Sequence, residues 1–319
     1  LASIKQEKAR PGSLTRRLGA PLLYGAGHPY ATPPSGTGTE AGIAALLRED
    51  MLAWLKDWVR PDNATLIVVG DTTLDELTGK LEASFSAWRA PPTPVPTLSL
   101  PNVRLPAKSR VFLVDQPGAI QSNILVTQLA PSSKDPGAID LEIANAVLGG
   151  EFSSRLNMNL REDKHWAYGA YSGFSDAVGQ RMWTAAAPVQ IDKTVDAVKE
   201  LQREIADYLS GKAAAKPEEV KKIQSTEVLA LPGFFETANA VLSSVVKLEL
   251  YGRPDNYEAT RASRINALTV PQVVAAARTL KADAMTWIIV GDLKKIETGI
   301  RALRLGEVKV LDGDGKVLR

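Results

Sequence analysis

The sequence predicts a duplicated α+β fold, in which a mostly antiparallel sheet is covered on one face by helices. Three observations predict it. Leu66-Ile67-Val68-Val69-Gly70-Asp71 recurs as Trp287-Ile288-Ile289-Val290-Gly291-Asp292, an offset of 221 residues, and at the same offset Leu47 falls on Leu268. Leu23-Tyr24-Gly25 followed by Tyr30 recurs as Leu250-Tyr251-Gly252 followed by Tyr257, now at an offset of 227. The difference is absorbed by Pro33-Pro34-Ser35-Gly36-Thr37-Gly38, a turn cluster where insertion is cheap. Matches kept in order with one small insertion indicate duplication. The third observation is the alternation of strand-like pairs with helix-like pairs, the pattern of a sheet layered against helices.

The repeat fixes an organisation. A complete unit covers residues 107–319, and residues 1–90 match only the second half of such a unit. Residues 91–106 form a linker that opens with Pro91-Pro92-Thr93-Pro94-Val95-Pro96, a run unfit for a sheet interior. Leu1–Glu7 reads as the middle of a helix, so the sequence is expected to be cut from something longer.

The elements follow in order. Thr39 caps a short helix, Arg48–Val59 is helical, and Ile67–Val69 is a strand. Arg110–Val114 and Ser122–Gln128 are strands flanking the Gln116-Pro117-Gly118 turn. Asp135–Leu148 is a helix with Ile139, Ile143 and Val147 on one face and Gly149-Gly150 as its stop. A second helix covers Leu156–Asp163, and strands follow at Tyr168–Phe174 and Arg181–Ala187. Asp192–Leu209 is amphipathic, with Val195, Val198, Leu201, Ile205 and Leu209 aligned and Gly211 ending it. Pro217 sits in the first turn of a further helix. Val270–Leu280 is helical and Met285–Val290 is the closing strand.

Composition excludes several functions. With 45% hydrophobic and 23% charged residues the chain can build a core and is not disordered. Its 38 basic and 36 acidic residues leave a charge of +2, so no basic surplus points to nucleic acid. No apolar run reaches the roughly 18 residues of a membrane span. The chain has no Cys, which removes thiol catalysis and Cys-based zinc sites. Its two histidines, His28 and His165, are too few for a zinc site, although Glu162 precedes His165 by a helical spacing. Ser153-Ser154 lacks a nearby base, and Gly36-Thr37-Gly38-Thr39 lacks the Lys and preceding strand of a phosphate loop. Glu218-Glu219 and the Asp312/Asp314 pair read as solvated carboxylates.

One block stands out. Leu148-Gly149-Gly150-Glu151-Phe152-Ser153-Ser154-Arg155-Leu156 leads into Leu160-Arg161-Glu162-Asp163-Lys164-His165-Trp166-Ala167-Tyr168. Arg161 and Tyr168 bridge a helix end and a strand start, where a guanidinium and a phenol could both donate to a carbonyl oxygen or oxyanion. The bland alternative is an Arg161 paired to a carboxylate and a half-buried Tyr168.

At these residues the chain resembles the pitrilysin/insulinase family of inverzincin zinc metallopeptidases, which includes the mitochondrial processing peptidases. His28-Pro29-Tyr30, Arg60-Pro61-Asp62-Asn63-Ala64-Thr65-Leu66 with the strand after it, the Gly149–Tyr168 block and Ile288–Asp292 carry the resemblance. It implies insulinase-like metallohydrolase domains, in the C-terminal non-catalytic half of a long bacterial member. The His-x-x-Glu-His zinc motif would lie in an absent half. By position, Arg161 and Tyr168 match the family's Arg/Tyr pair, which binds the scissile carbonyl, and Gly149, Gly150 and Phe152 are assigned to substrate binding. Glu7 falls near the third zinc ligand of active domains and is expected to be a vestigial surface residue. The chain alone would hold no metal and be inactive. Its partners would be a peptide substrate and the zinc-bearing half, in the same protein or as a partner subunit, and the expected compartment is the periplasm. The alternative is a structural or peptide-binding module without a proteolytic role.

Overall fold

The computed structural model describes residues 1–319. Its first helices are α1 (Ala2–Ala9), α2 (Pro11–Tyr24), α3 (Glu40–Ala45), α4 (Arg48–Trp58) and α5 (Leu74–Phe85). Strands β1 (Arg110–Asp115) and β2 (Gln121–Ala130) precede α6 (Ala138–Asn145) and α7 (Arg155–Asn157), each extended by a wide π-type turn, Ala146–Gly150 and Met158–Asp163. Next come β3 (Tyr171–Phe174), β4 (Arg181–Gln190), α8 (Thr194–Ser210), α9 (Pro217–Ala230) and α10 (Ala238–Tyr251). The chain closes with α11 (Tyr257–Ala267), α12 (Val270–Ala277), β5 (Thr286–Gly291), α13 (Leu293–Ala302) and β6 (Glu307–Leu311). Contacts divide the chain into two compact units, one of Leu1–Gly38, Leu100–Leu229 and Glu258–Arg319, the other of Thr39–Ser99 and Ala230–Tyr257.

The first unit holds a six-stranded sheet in the order β3-β4-β2-β5-β1-β6. β3/β4, β4/β2 and β2/β5 are antiparallel, while β5/β1 and β1/β6 are parallel, so the sheet is mostly antiparallel. Every residue of β5 is buried, as an unbroken apolar run in a central strand requires. Phe112, Val114, Leu125, Ile288 and Val290 form one face and cluster with Leu14 and Leu18 of α2. Gly19 lets α2 approach, since a Cβ there would already stand 3.3 Å from Met182. On the other face Thr194 of α8 donates to Ser122 Oγ of β2 at 2.7 Å. Helices therefore cover both faces, not the single face predicted. The stripe of Leu14 and Leu18 on α2 supplies the second layer, each side chain contributing roughly 1.5–3 kcal/mol by burial.

Most predicted elements form, with informative shifts. β3 starts at Tyr171 and leaves Tyr168 outside. Ala167 makes only an isolated bridge to Val189, and Asn157 Oδ1 then takes the Ala170 N–H at 3.1 Å, bending the chain before the strand begins. Gly149-Gly150 do not simply stop α6 but lie within its widened last turn. Asn145 accounts for this: its side chain donates to Ser172 O (3.0 Å) and accepts from Ser172 Oγ and Trp183 Nε1 (both 2.7 Å), drawing that turn onto β3 and β4. β6 was not foreseen, because Glu307 and Lys309 interrupt its apolar pattern in the manner of a charged edge strand.

In the second unit, Arg60, Tyr251 and Tyr257 are the residues that are buried. Arg60 donates twice to Asp62 at 2.6 Å and to the carbonyls of Pro91 and Thr93, tying down the proline-rich stretch. Thr39 caps α3 as predicted, accepting from Gly42 N at 3.0 Å. On α4, Met51, Leu52, Trp54 and Leu55 are 46–57% exposed, an apolar stripe without a core. Ile67–Val69 corrects the expectation of a strand: residues 64–69 form no strand and join no ladder. The repeat explains the difference. β5 is held between β1 and β2, and residues 39–99 contain no counterpart of either.

Candidate functional site

Two arginines leave α7 with opposite fates. Arg155 donates to both oxygens of Glu219 (2.8 and 2.6 Å) and to the carbonyls of Ala213 and Ala214, and lies over the Tyr208 ring. Those bonds commit its donors to the fold. The Glu219 carboxyl is pushed up by burial, but hydrogen bonds from Arg155 and the Lys216 N–H outweigh this and hold it below its usual range. Arg161, two helical turns on, has one weak ion pair, Nε to Glu162 Oε1 at 3.3 Å. Its guanidinium carbon stands 4.5 Å from the Phe152 ring centroid and 5.3 Å from that of Tyr168. Contact with ring faces restrains the guanidinium while its in-plane N–H groups stay available. Tyr168 is 86% exposed, so a phenol hydroxyl stands in solvent beside those donors.

The structure thus brings together Arg161, Tyr168 and Phe152. Gly150 is exposed, while Gly149 is buried against β3, where a Cβ would stand 2.3 Å from Ser172 Oγ. A separate cleft of about 530 Å³ beside α7 is lined by Arg155, Asn159, Lys164, Arg203, Glu204 and Glu219, among others, and neither Arg161 nor Tyr168 lines it.

Glu7 requires a correction. It is not a free surface carboxylate: it pairs at 2.7 Å with Arg17, whose side chain is only 5% exposed. Thr37 also donates to it at 3.0 Å. His28 uses both ring nitrogens, accepting the Tyr30 N–H at Nδ1 (3.0 Å) and thereby donating from Nε2 to Pro101 O (3.1 Å). Glu162 turns toward Arg161, and His165 Nδ1 donates to Arg161 O at 3.1 Å. No group of three or more His, Cys, Asp or Glu is placed to hold a metal ion. These residues therefore do not fit zinc.

Sequence reasoning missed the use of His165, which it read as an isolated surface or loop histidine rather than a metal ligand. The readable signal was the lack of Gly or Pro after Asp163, which leaves the end of that helix to Lys164-His165.

The family model described as "Peptidase M16 inactive domain" matches residues 45–226. The uncharacterized zinc protease YmxG of Bacillus subtilis is 24% identical over 277 residues, covering 87% of this chain and 65% of that protein. An uncharacterized zinc protease of Mycobacterium leprae is 24% identical over 285 residues, covering 87% and 61%. The chain therefore spans less than two thirds of these relatives. Among solved structures, a peptidase M16 inactive domain from Pseudomonas fluorescens superposes with a TM-score of 0.79 at 23% identity, covering 91% of this chain and 68% of that one. A protease from Helicobacter pylori gives 0.78 at 17% identity, covering 91% and 70%. At such identities these likenesses speak for the fold.

Proposed function

The chain belongs to the peptidase M16 inactive-domain family, and from that premise we propose that it is the non-catalytic part of a zinc-dependent endopeptidase. In this reading it supplies peptide binding and stabilises the oxyanion formed at the scissile carbonyl. The observation that carries it is the Arg161 guanidinium held against Phe152 and Tyr168, with only the weak Glu162 ion pair competing for its donors, and the exposed Tyr168 beside it. A fold gains little from an 86% exposed tyrosine, whereas a carbonyl oxygen that acquires charge gains from donors fixed in advance.

Zinc would be held outside this chain, where it would activate the attacking water. What these residues do is orient and donate. Phe152 limits the rotamers of Arg161; Arg161 and Tyr168 converge on one acceptor; neither gives up a proton. The partner that holds zinc, in the same polypeptide or as a separate subunit, also accounts for the second unit. The apolar stripe of α4 and residues 64–69, which join no ladder, are surfaces that such a partner would cover. No single helix is long and apolar enough to cross a membrane.

The test is complementation. The chain is mixed with, or joined to, the zinc-bearing part, and hydrolysis of an unfolded peptide is followed. The reading expects no hydrolysis by the chain alone and fast hydrolysis by the joined protein. Equal turnover by the zinc-bearing part alone would remove this chain from the reaction.

A further inference from the structure

Tyr168 reaches Arg161 only because the chain reverses between them, and the reversal turns on His165. Its φ is +57°, the left-handed region that glycine usually fills at a helix end and that His, like Asn, enters more readily than most residues. Around it the last carbonyls of the widened α7 are closed one by one. Lys164 N donates to Asn159 O at 3.0 Å. Trp166 N and Ala167 N both donate to Leu160 O, at 3.0 and 3.3 Å. The next carbonyl belongs to Arg161, and His165 Nδ1 donates to it at 3.1 Å. A glycine in this place would give the same turn but leave that carbonyl without a side-chain donor.

Beyond the turn the direction is fixed again. Gln190 N donates to Trp166 O at 3.1 Å, and Ala167 bridges Val189, so residues 166–167 lie along the end of β4. Tyr168 leaves from that anchored position toward the guanidinium. One residue therefore sets both members of the pair: its backbone turns Tyr168 back, and its ring holds the peptide unit that carries Arg161.

We propose that His165 is a positioning residue for the Arg161/Tyr168 pair, acting through its left-handed backbone and its Nδ1–H bond to the Arg161 carbonyl. Its effect on turnover rests on the reading of that pair as the substrate-facing donors; its effect on geometry does not.

The experiment places 3-fluorotyrosine at position 168 of the joined protein and reads its fluorine resonance alongside kcat and KM. Arg161→Ala marks the resonance of a Tyr168 ring that has lost the guanidinium. His165→Ala, which suits neither the turn nor the bond, is expected to move the resonance most of the way to that mark and to lower kcat about tenfold with KM unchanged. His165→Gly keeps the turn without the bond and guards against misfolding, with an expected intermediate shift. His165→Asn tolerates the turn and restores an amide donor, so it should recover more than His165→Gly. If the resonance stays at the wild-type position in both His165→Ala and His165→Gly, the proposal is overturned. If it moves while kcat stays constant, the positioning role is upheld and the reading of the pair as oxyanion donors fails.

Discussion

The Phe152 ring lies closer to the Arg161 guanidinium, at 4.5 Å, than the Tyr168 ring does, at 5.3 Å. Phe152 is therefore the firmer of the two restraints. A cation–π contact at an exposed site contributes about 0.5–1 kcal/mol, so Phe152→Ala should lower kcat of the joined protein about two- to fivefold. Phe152→Trp should hold the wild-type rate, and Phe152→Leu should behave as Phe152→Ala. Leucine restoring the rate would mean that the ring acts by bulk alone.

Gly149 and Gly150 should separate cleanly. A Cβ on Gly149 would stand 2.3 Å from Ser172 Oγ and 2.7 Å from its backbone nitrogen, whereas on Gly150 it would stand 3.4 Å from its nearest neighbours. Overpacking typically costs about 1–3 kcal/mol. Gly149→Ala should thus lower the melting temperature by several degrees and Gly150→Ala should barely change it. Thermal scans of the two variants that coincide would contradict the contact between Gly149 and β3.

Two carboxylates give opposite pH signatures. Burial pushes the Glu7 carboxyl up, but hydrogen bonds from Arg17, Ser35 and Thr37 outweigh it and hold the group below its ordinary value of 4.5. Its stabilisation is present above that value and is lost as pH falls through the lowered one. Glu227 is raised, first by burial and then by Glu151 and Glu142, against the pull of Arg261. The folded state there retains a proton that the unfolded state gives up, so stability falls as pH rises from 4.5 through the raised value. Glu7→Gln should lower the melting temperature at pH 7, the loss shrinking as pH falls below 4.5 and through the lowered value. Glu227→Gln should raise it at pH 7, the gain fading below pH 4.5. Melting curves across this range check both signs, and a Glu227→Gln variant less stable at pH 7 would reverse the second.

The second unit predicts an exchange experiment. With no strand beside them, the amides of Leu66–Gly70 should exchange at nearly unprotected rates in the chain alone. Joining the zinc-bearing part should slow them by orders of magnitude if it supplies the missing strands. Unchanged exchange after joining would show that the stripe on α4 and this segment serve no such partner.

Much of this was legible in the sequence because it is local. The stripe of α8 and its Gly211 stop, at φ +85°, are set by helix period and backbone chemistry alone. The strand β5 was readable from its β-branched run, but the same run at Ile67–Val69 is no strand, because pairing depends on neighbours that period cannot reveal. The layer formed by α2 was missed for the same reason: Leu14 and Leu18 mark an apolar face without saying which sheet receives it. At the site, residue type and spacing singled out Arg161 and Tyr168, and only the family resemblance suggested a role for them. The difference between a committed Arg155 and an open Arg161 lay in Glu219, 64 residues away in sequence, and could be seen only after folding.

The most direct test is kcat for peptide cleavage by the joined protein carrying Tyr168→Phe or Arg161→Ala, measured at saturating substrate. Loss of one preorganised donor to an oxyanion typically lowers turnover about 100- to 1000-fold, and each variant is expected to fall in that range with its fold intact. Wild-type turnover in both variants would contradict the assignment of these side chains to the transition state.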